Sequence, residues 1–342
     1  MSVEQIMQRR PKAVLLYSGG LDSTIALYAL VSMGVEVIAL NFDTPFCNHG
    51  LNNKTHTSIL ENTKKLGVKL ITAGVDDEFL EILRHPRHGF GRAVNPCVDC
   101  RIFMLKYAKK VMEKEGADFI ATGEVIGQRP FSQKMQRLIA IDREADVEGL
   151  VVRPLSGKLL HETIPEQKGL IKRDFLFDII GRGRAQQIGL AKKYGIDVFP
   201  TPSGGCLLTE PAIGKRFRDL KKYNPDFSLE DVFLLGFGRH FRLGKNSKII
   251  VCRDKNENEA LPKYISKDDI LFNVIDYIGP LCVYFGELRE DMMAKVASYA
   301  ASYSKVPKDR PSKVRLWNTR GTFDKILEVS PIPIEEIHKN LI

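Results

Sequence analysis

Two sets of residues in this chain have the types and spacing for chemistry. The first is Ser18-Gly19-Gly20-Leu21-Asp22-Ser23, lying between an apolar run at residues 13–17 and a helical pattern over about 23–33. Glycines let the backbone turn tightly and approach a ligand, while free N–H groups at the helix start and the hydroxyls of Ser18 and Ser23 can surround phosphate oxygens. The sequence has neither a GxxxxGK[ST] loop nor a GxGxxG fingerprint after this strand, so ordinary P-loop and dinucleotide readings lose ground. The second set is cysteines. Cys97 and Cys100 stand three residues apart in Asn95-Pro96-Cys97-Val98-Asp99-Cys100, read as a loop before a helix over about 101–115, and Cys206 closes Ser203-Gly204-Gly205-Cys206. Thiolates at i and i+3 can converge on one metal, and a distant third completes a three-ligand site with an open position. Three thiolates suit an iron–sulfur cluster better than a closed zinc site, since no second CxxC or nearby histidine supplies a fourth ligand. A persulfide-forming pair, structural zinc and spare thiols are the competing readings. Cys47 could also face the site, although a lone cysteine is more often a small buried hydrophobe.

These residues need a scaffold. Short apolar runs at 13–17, 35–41, 69–73 and 118–122 alternate with helical patterns at about 23–33, 53–66 and 101–115, the signature of a doubly wound parallel α/β sheet with ligands at the carboxyl ends of its strands. A helical segment and a smaller α+β domain follow. The expected divisions are 1–164 for the nucleotide layer, 165–225 for a helical basic middle carrying the third cysteine, 226–304 for the α+β domain, and 305–342 for a basic, proline-containing tail that reads as a surface arm. Asp43 beyond the second strand, and Gly123 and Arg129 after the strand at 118–122, complete the expected nucleotide site. His49, His56, His85 and His88 lack metal-ligand spacing and read as ordinary polar residues.

Composition narrows the class. With 44% hydrophobic and 27% charged residues in 342, the chain is globular rather than disordered. It has no 18-residue apolar run and no signal-peptide pattern at the start, which points to the cytoplasm and away from a membrane. Six cysteines are too few for a disulfide scaffold. The net charge of +9 fits a polyanionic partner. In Gly236-Phe237-Gly238-Arg239-His240-Phe241-Arg242, followed by Lys245 and Lys248, cations alternate with aromatics, a pattern suited to phosphates and unpaired bases and equally to an amphipathic strand.

The hexapeptide at 18–23 resembles the SGGxDS signature of the PP-loop ATP pyrophosphatases, which have HUP-like domains. The resemblance implies cleavage of ATP to AMP and pyrophosphate, with the loop holding pyrophosphate, Asp22 helping to place Mg2+, and the substrate becoming adenylated. Adenylation turns a carbonyl oxygen into a leaving group that a sulfur or nitrogen nucleophile can displace. The cysteine layout resembles the tRNA thiouridine synthases of that family, with Cys100 and Cys206 on the two catalytic cysteines. Cys97 stands where those enzymes have aspartate, and a third cysteine there is similar to the cluster-dependent tRNA thiolases, in which three cysteines hold a 4Fe-4S cluster. Glu124 replaces the histidine of a Thr-Gly-His element. Arg153-Pro154-Leu155-Ser156-Gly157-Lys158 resembles a closing element of the same layer. Residues 238–259, and loosely on to 304, resemble the NFACT-R RNA-binding domain.

The resulting expectation is an ATP-dependent tRNA sulfurtransferase making 2- or 4-thiouridine. Its catalytic residues would be Asp22, Cys97, Cys100 and Cys206, and its cofactors ATP, Mg2+ and a 4Fe-4S cluster on the three cysteines. Ser18, Gly19, Gly20, Asp22, Ser23, Asp43, Gly123 and Arg129 would bind nucleotide. Arg239, His240, Arg242, Lys245 and Lys248 would bind RNA, and tRNA and sulfide or a sulfur-donor protein are the partners. An amide or guanidine synthetase and a non-catalytic RNA-binding factor are the rivals.

Overall fold

A computed structural model describes residues 9–44, 46, 53–91, 93–197, 199 and 206–342. The chain divides into two compact units, residues 1–206 and 207–342.

The first unit is built on five parallel strands: β1 (Lys12–Leu16), β2 (Glu36–Asp43), β3 (Lys69–Gly74), β4 (Phe119–Thr122) and β5 (Val151–Val152), in the order β3-β2-β1-β4-β5. Helices α1 (Leu21–Ser32), α2 (Asn53–Leu66), α3 (Asp77–Arg84), α4 (Cys97–Glu115) and α5 (Met135–Glu144) alternate with them, followed by the single turn α6 (Ile164–Gln167) and by α7 (Ala185–Tyr194). β1 and β4 are buried because helices cover both sheet faces, which is why they read as continuous apolar runs. The order reverses between β1 and β4, and such a switch point opens a crevice beyond the strand ends. The glycine loop leaves β1 at that point and Gly123 leaves β4.

The expected middle segment is not separate. Ile171, Leu176, Ile179, Ala191 and Ile196 join the core formed by β1, β4 and α1, so residues through 206 belong to the first unit. Its apolar residues needed a sheet to cover, which a reading by charge overlooked.

The second unit starts with α8 (Pro211–Tyr223) and α9 (Leu229–Leu234). Its antiparallel sheet has the order β11-β10-β8-β9-β7-β6, from β6 (Arg239–Gly244), β7 (Ser247–Val251), β8 (Ile270–Val274), β9 (Cys282–Phe285), β10 (Ser312–Trp317) and β11 (Asp324–Val329), with α10 (Lys255–Ala260), α11 (Glu290–Ser302) and α12 (Ile334–His338). The tail is therefore no arm. β10 alternates buried Val314 and Leu316 with exposed Lys313 and Arg315, and β11 pairs along its whole length. Cys252 and Cys282 are core residues.

Candidate active site

After β1, Gly19 adopts φ 71°, the left-handed region that glycine occupies without strain, and Gly20 turns extended to cap α1. The carbonyl of Gly20 accepts from the Ser23 and Thr24 hydroxyls (3.0 and 2.9 Å), Ser18 Oγ lies 3.2 Å from Ser23 Oγ, and Ser58 Oγ donates to the Gly19 carbonyl (3.2 Å). These bonds fix the loop through its oxygens. No side chain caps the N–H groups of the first turn of α1, which stay available to an anion.

Asp22 is held from one side only. Gln128 Nε2 donates to its Oδ2 at 3.0 Å, whereas Oδ1 is buried without a hydrogen-bond partner. A buried carboxylate oxygen left unmatched is costly. The geometry suits Mg2+, which commonly takes one or two carboxylates together with substrate phosphates. Gly123 approaches the same loop so closely that a Cβ there would sit 2.6 Å from the Ser23 Cα and N. Any side chain at 123 would force β4 away from the glycine loop.

Next to Gly123, Glu124 is 3% exposed and faces two guanidiniums: Arg153 Nε at 3.0 Å and Arg101 Nε at 3.1 Å. The Arg101 contact lies outside hydrogen-bonding geometry, so it is an ion pair rather than a directed bond. Arg153, 4% exposed, also grips Asp142 with two bonds of 2.7 and 2.8 Å. Burial alone would raise the Glu124 carboxyl, but Arg101 and Arg153 outweigh it and hold the group below the usual carboxylate range. Glu124 thus ties β4 to the residue after Cys100.

The cysteine pair is not in a loop as expected. α4 begins at Cys97, so Cys97 and Cys100 occupy one face of its first turn. Pro96 precedes the helix, and acidic Asp99 belongs in a first turn because the helix amino terminus favours negative charge. Asn95 Nδ2 donates to Cys97 Sγ at 3.0 Å, and the Gly91 N–H donates to the Asn95 carbonyl at 2.9 Å. A Cβ on Gly91 would lie 2.6 Å from Asn95 Nδ2, so glycine there lets the amide sit beside the thiol. Asp99 accepts from the backbone N–H groups of Arg87 and His88 (both 3.1 Å), and His88 bridges Asp99 and Glu144 at 3.0 and 3.1 Å. The histidine read as ordinary is a clamp on the cysteine helix.

Cys97, Cys100 and Cys206 are each half-buried. Among the described residues no three His, Cys, Asp or Glu side chains are gathered as metal ligands. Cys47 and residues 200–205, which lead to Cys206, lie outside the described residues. Asp43 is exposed at the end of β2, and Arg129 is exposed in the loop after β4. Gln128 and Arg101 were missed by sequence reasoning, which reached Arg153 only as the start of a closing element. Only a Thr-Gly-Glu strand end, with arginine after the second cysteine, hinted at the ion pairs.

The five expected RNA contacts fare differently. His240 is corrected: it is 0% exposed, and its Nε2 lies 3.1 and 3.0 Å from the Leu234 and Phe237 carbonyls. Burial, with Lys248 and Arg216 near, drives its pKa well below the usual histidine value, so it is a neutral internal strut. Arg242 is occupied by Asp219 and lies over the Tyr223 ring at 4.6 Å; Arg239 lies over Tyr303 at 5.0 Å. Burial brings Lys248 down to about 8, and Lys245 is exposed.

A glycine–serine loop at the switch point of a doubly wound sheet, with its carboxylate half-satisfied, has the geometry of an anion-binding site in an α/β domain. Residues 9–166 match the family described as thiamine biosynthesis protein (ThiI), and residues 238–341 match the NFACT protein RNA binding domain. Two separate regions of the chain, one in each compact unit, are thus similar to known families. It is 28% identical over 204 residues to a probable tRNA sulfurtransferase of Methanothermobacter thermautotrophicus, covering 57% of this chain and 43% of that protein. It is also 28% identical over 147 residues to the tRNA-specific 2-thiouridylase MnmA of Proteus mirabilis, covering 40% and 39%. The chain therefore spans about two fifths of the length of these curated relatives. Among solved structures, the U34-tRNA thiolase NcsA of Methanococcus maripaludis with its 4Fe-4S cluster is similar at 15% identity, 68% and 72% coverage and a TM-score of 0.36.

Proposed function

We propose that this chain is a cytoplasmic, ATP-dependent tRNA sulfurtransferase that replaces a uridine carbonyl oxygen with sulfur. The observation that carries the reading is the two-residue bridge Gly123–Glu124. Gly123 lies against the backbone of Ser23 in the anion loop, and Glu124 pairs with Arg101 beside Cys100. Activating loop and thiol-bearing helix are thereby fixed to one strand end.

In the first step the uridine oxygen attacks the α-phosphorus of ATP, an O–P bond forms, and pyrophosphate leaves. The N–H groups of α1 with Ser18 and Ser23 hold that leaving group, and Asp22, its carboxylate rotation fixed by Gln128, would hold Mg2+, which when bound would neutralise phosphate charge. In the second step sulfide attacks the adenylated carbon, the C–S bond forms as the C–O bond breaks, and AMP departs with the former carbonyl oxygen. The exchange is redox-neutral. Cys97, Cys100 and Cys206 would hold a 4Fe-4S cluster, which when bound presents sulfide. Two thiols on one helical turn, one beside an amide N–H donor, suit that group.

Pyrophosphate release from ATP tests this directly. Release should require tRNA, persist in Cys100→Ala without thiolated product, and slow by about 10²–10³-fold in Asp22→Asn. Release that needs no RNA, or a product carrying nitrogen from ammonia, contradicts the reading.

A further inference from the structure

We infer that residues 180–184, Ile180-Gly181-Arg182-Gly183-Arg184, form an RNA-backbone contact at the rim of the activation loop. The inference rests on the function proposed above and assigns the first unit its own grip on the substrate, separate from the NFACT-type region.

Position is the first argument. Ile180 pairs with Ile126 in a parallel bridge, and Gly181 N–H donates to the Ile126 carbonyl at 2.7 Å. A Cβ at Gly127 would meet Gly181 N at 3.6 Å, so the two backbones run side by side. Ser156, fully buried, fixes both: its Oγ accepts from Ile126 N–H at 3.1 Å and donates to the Ile179 carbonyl at 2.6 Å. The bridged residue Ile126 stands two positions before Gln128, the residue bonded to Asp22.

Surface chemistry is the second. Ile180 is 63% exposed, although its neighbour Ile179 is in the core. Arg182 is exposed and Arg184 half-buried, and neither has a carboxylate partner among the described residues, nor does exposed Arg129 in the adjoining loop. Between Lys168 and Lys193 the only acidic residues are Asp174 and Asp178. By contrast Arg101, Arg153, Arg173 and Arg242 are all ion-paired. Unpaired guanidiniums beside an exposed aliphatic surface fit one nucleotide of an RNA strand, with phosphate on the arginines and base or ribose on Ile180. ATP phosphates already have the N–H groups of α1.

The test uses the full chain, unfractionated tRNA and Mg-ATP, and compares wild type with Arg182→Ala/Arg184→Ala and Arg182→Lys/Arg184→Lys. We expect tRNA binding about tenfold weaker in the alanine pair, with the slope of log Kd against log salt reduced by about 1 to 2, ATP affinity unchanged, and partial recovery in the lysine pair. Weakened ATP binding with tRNA binding intact would reassign the arginines to nucleotide and overturn the inference, as would no change in either. A wild-type chain that binds no tRNA would instead sink the proposed function.

Discussion

Two glycine turns with similar letters do opposite things in this molecule. At 18–23 the loop's oxygens are consumed by Ser23, Thr24 and Ser58 while its N–H groups and Asp22 Oδ1 are left over. At 235–240 the carbonyls are consumed instead. Arg216 donates to those of Leu235, Phe237 and Gly238 at 2.8, 3.1 and 2.8 Å, and His240 faces those of Leu234 and Phe237. Gly238 donates its own N–H to Glu257 at 3.0 Å, and a Cβ there would lie 2.2 Å from the Val251 carbonyl oxygen. One turn keeps free the polar atoms a ligand could use and the other is a packed joint. The difference lies in which polar atoms remain unsatisfied, a property of the fold rather than of residue type.

That contrast can be broken in five places. Glu124→Ala should have the largest effect, leaving Arg153 and Arg101 facing a buried gap and costing about 3–5 kcal/mol in urea unfolding of the first unit. Because Glu124 titrates below its ordinary range, its contribution is complete above the unfolded carboxylate pKa and is lost as pH falls through the lower folded value. Asp22→Asn should leave folding intact yet slow tRNA-dependent pyrophosphate release by about 10²–10³-fold, seen in single-turnover assays. Arg216→Met inverts that pattern: burial, with Arg253 near, holds this guanidinium at about 10, and its loss strands three carbonyls. It should destabilise the second unit by about 1–3 kcal/mol by calorimetry while ATP cleavage by a folded sample is unchanged. Gly123→Ala should cost about 1–3 kcal/mol and weaken ATP binding by calorimetric titration, since β4 must retreat from Ser23.

The smallest effect is acid sensitivity of the joint. His240 folded resists protonation, whereas unfolded it titrates near the ordinary value of about 6.5. Stability from this group is complete above that value and declines as pH falls below it, because the unfolded chain then binds more protons. The urea midpoint of the second unit should drop between about pH 7 and 5, less steeply in His240→Asn.

Much of the first unit was legible. Apolar runs marked β1 to β4, and α2 spans the residues its periodicity predicts, 53–66. The glycine loop sits where strand order reverses. What escaped depended on long-range partners. The start of α4 four residues early was hidden by Pro96, although Asp99 signalled a first turn. The roles of Glu124, Gln128 and His88 come from residues 11 to 106 positions away, beyond any local pattern. In the second unit, β10 carries a period-two alternation, but its charged face and neighbouring prolines made it read as a tail. Arg239 to Lys248 read equally as an amphipathic strand, but β6 buries the consecutive His240 and Phe241 on opposite faces, so neither that reading nor an RNA contact placed His240.

The central claim is that loop and cysteines serve one reaction on tRNA. Purified chain, reconstituted anaerobically with iron and sulfide, should be incubated with Mg-ATP, sulfide and tRNA from cells lacking the gene, and the nucleosides analysed by mass spectrometry. The account predicts one new thiouridine, absent without ATP and absent with Cys97→Ala, Cys100→Ala or Cys206→Ala. Unmodified tRNA alongside ATP turnover, or thiouridine formed equally well by all three variants, would contradict it.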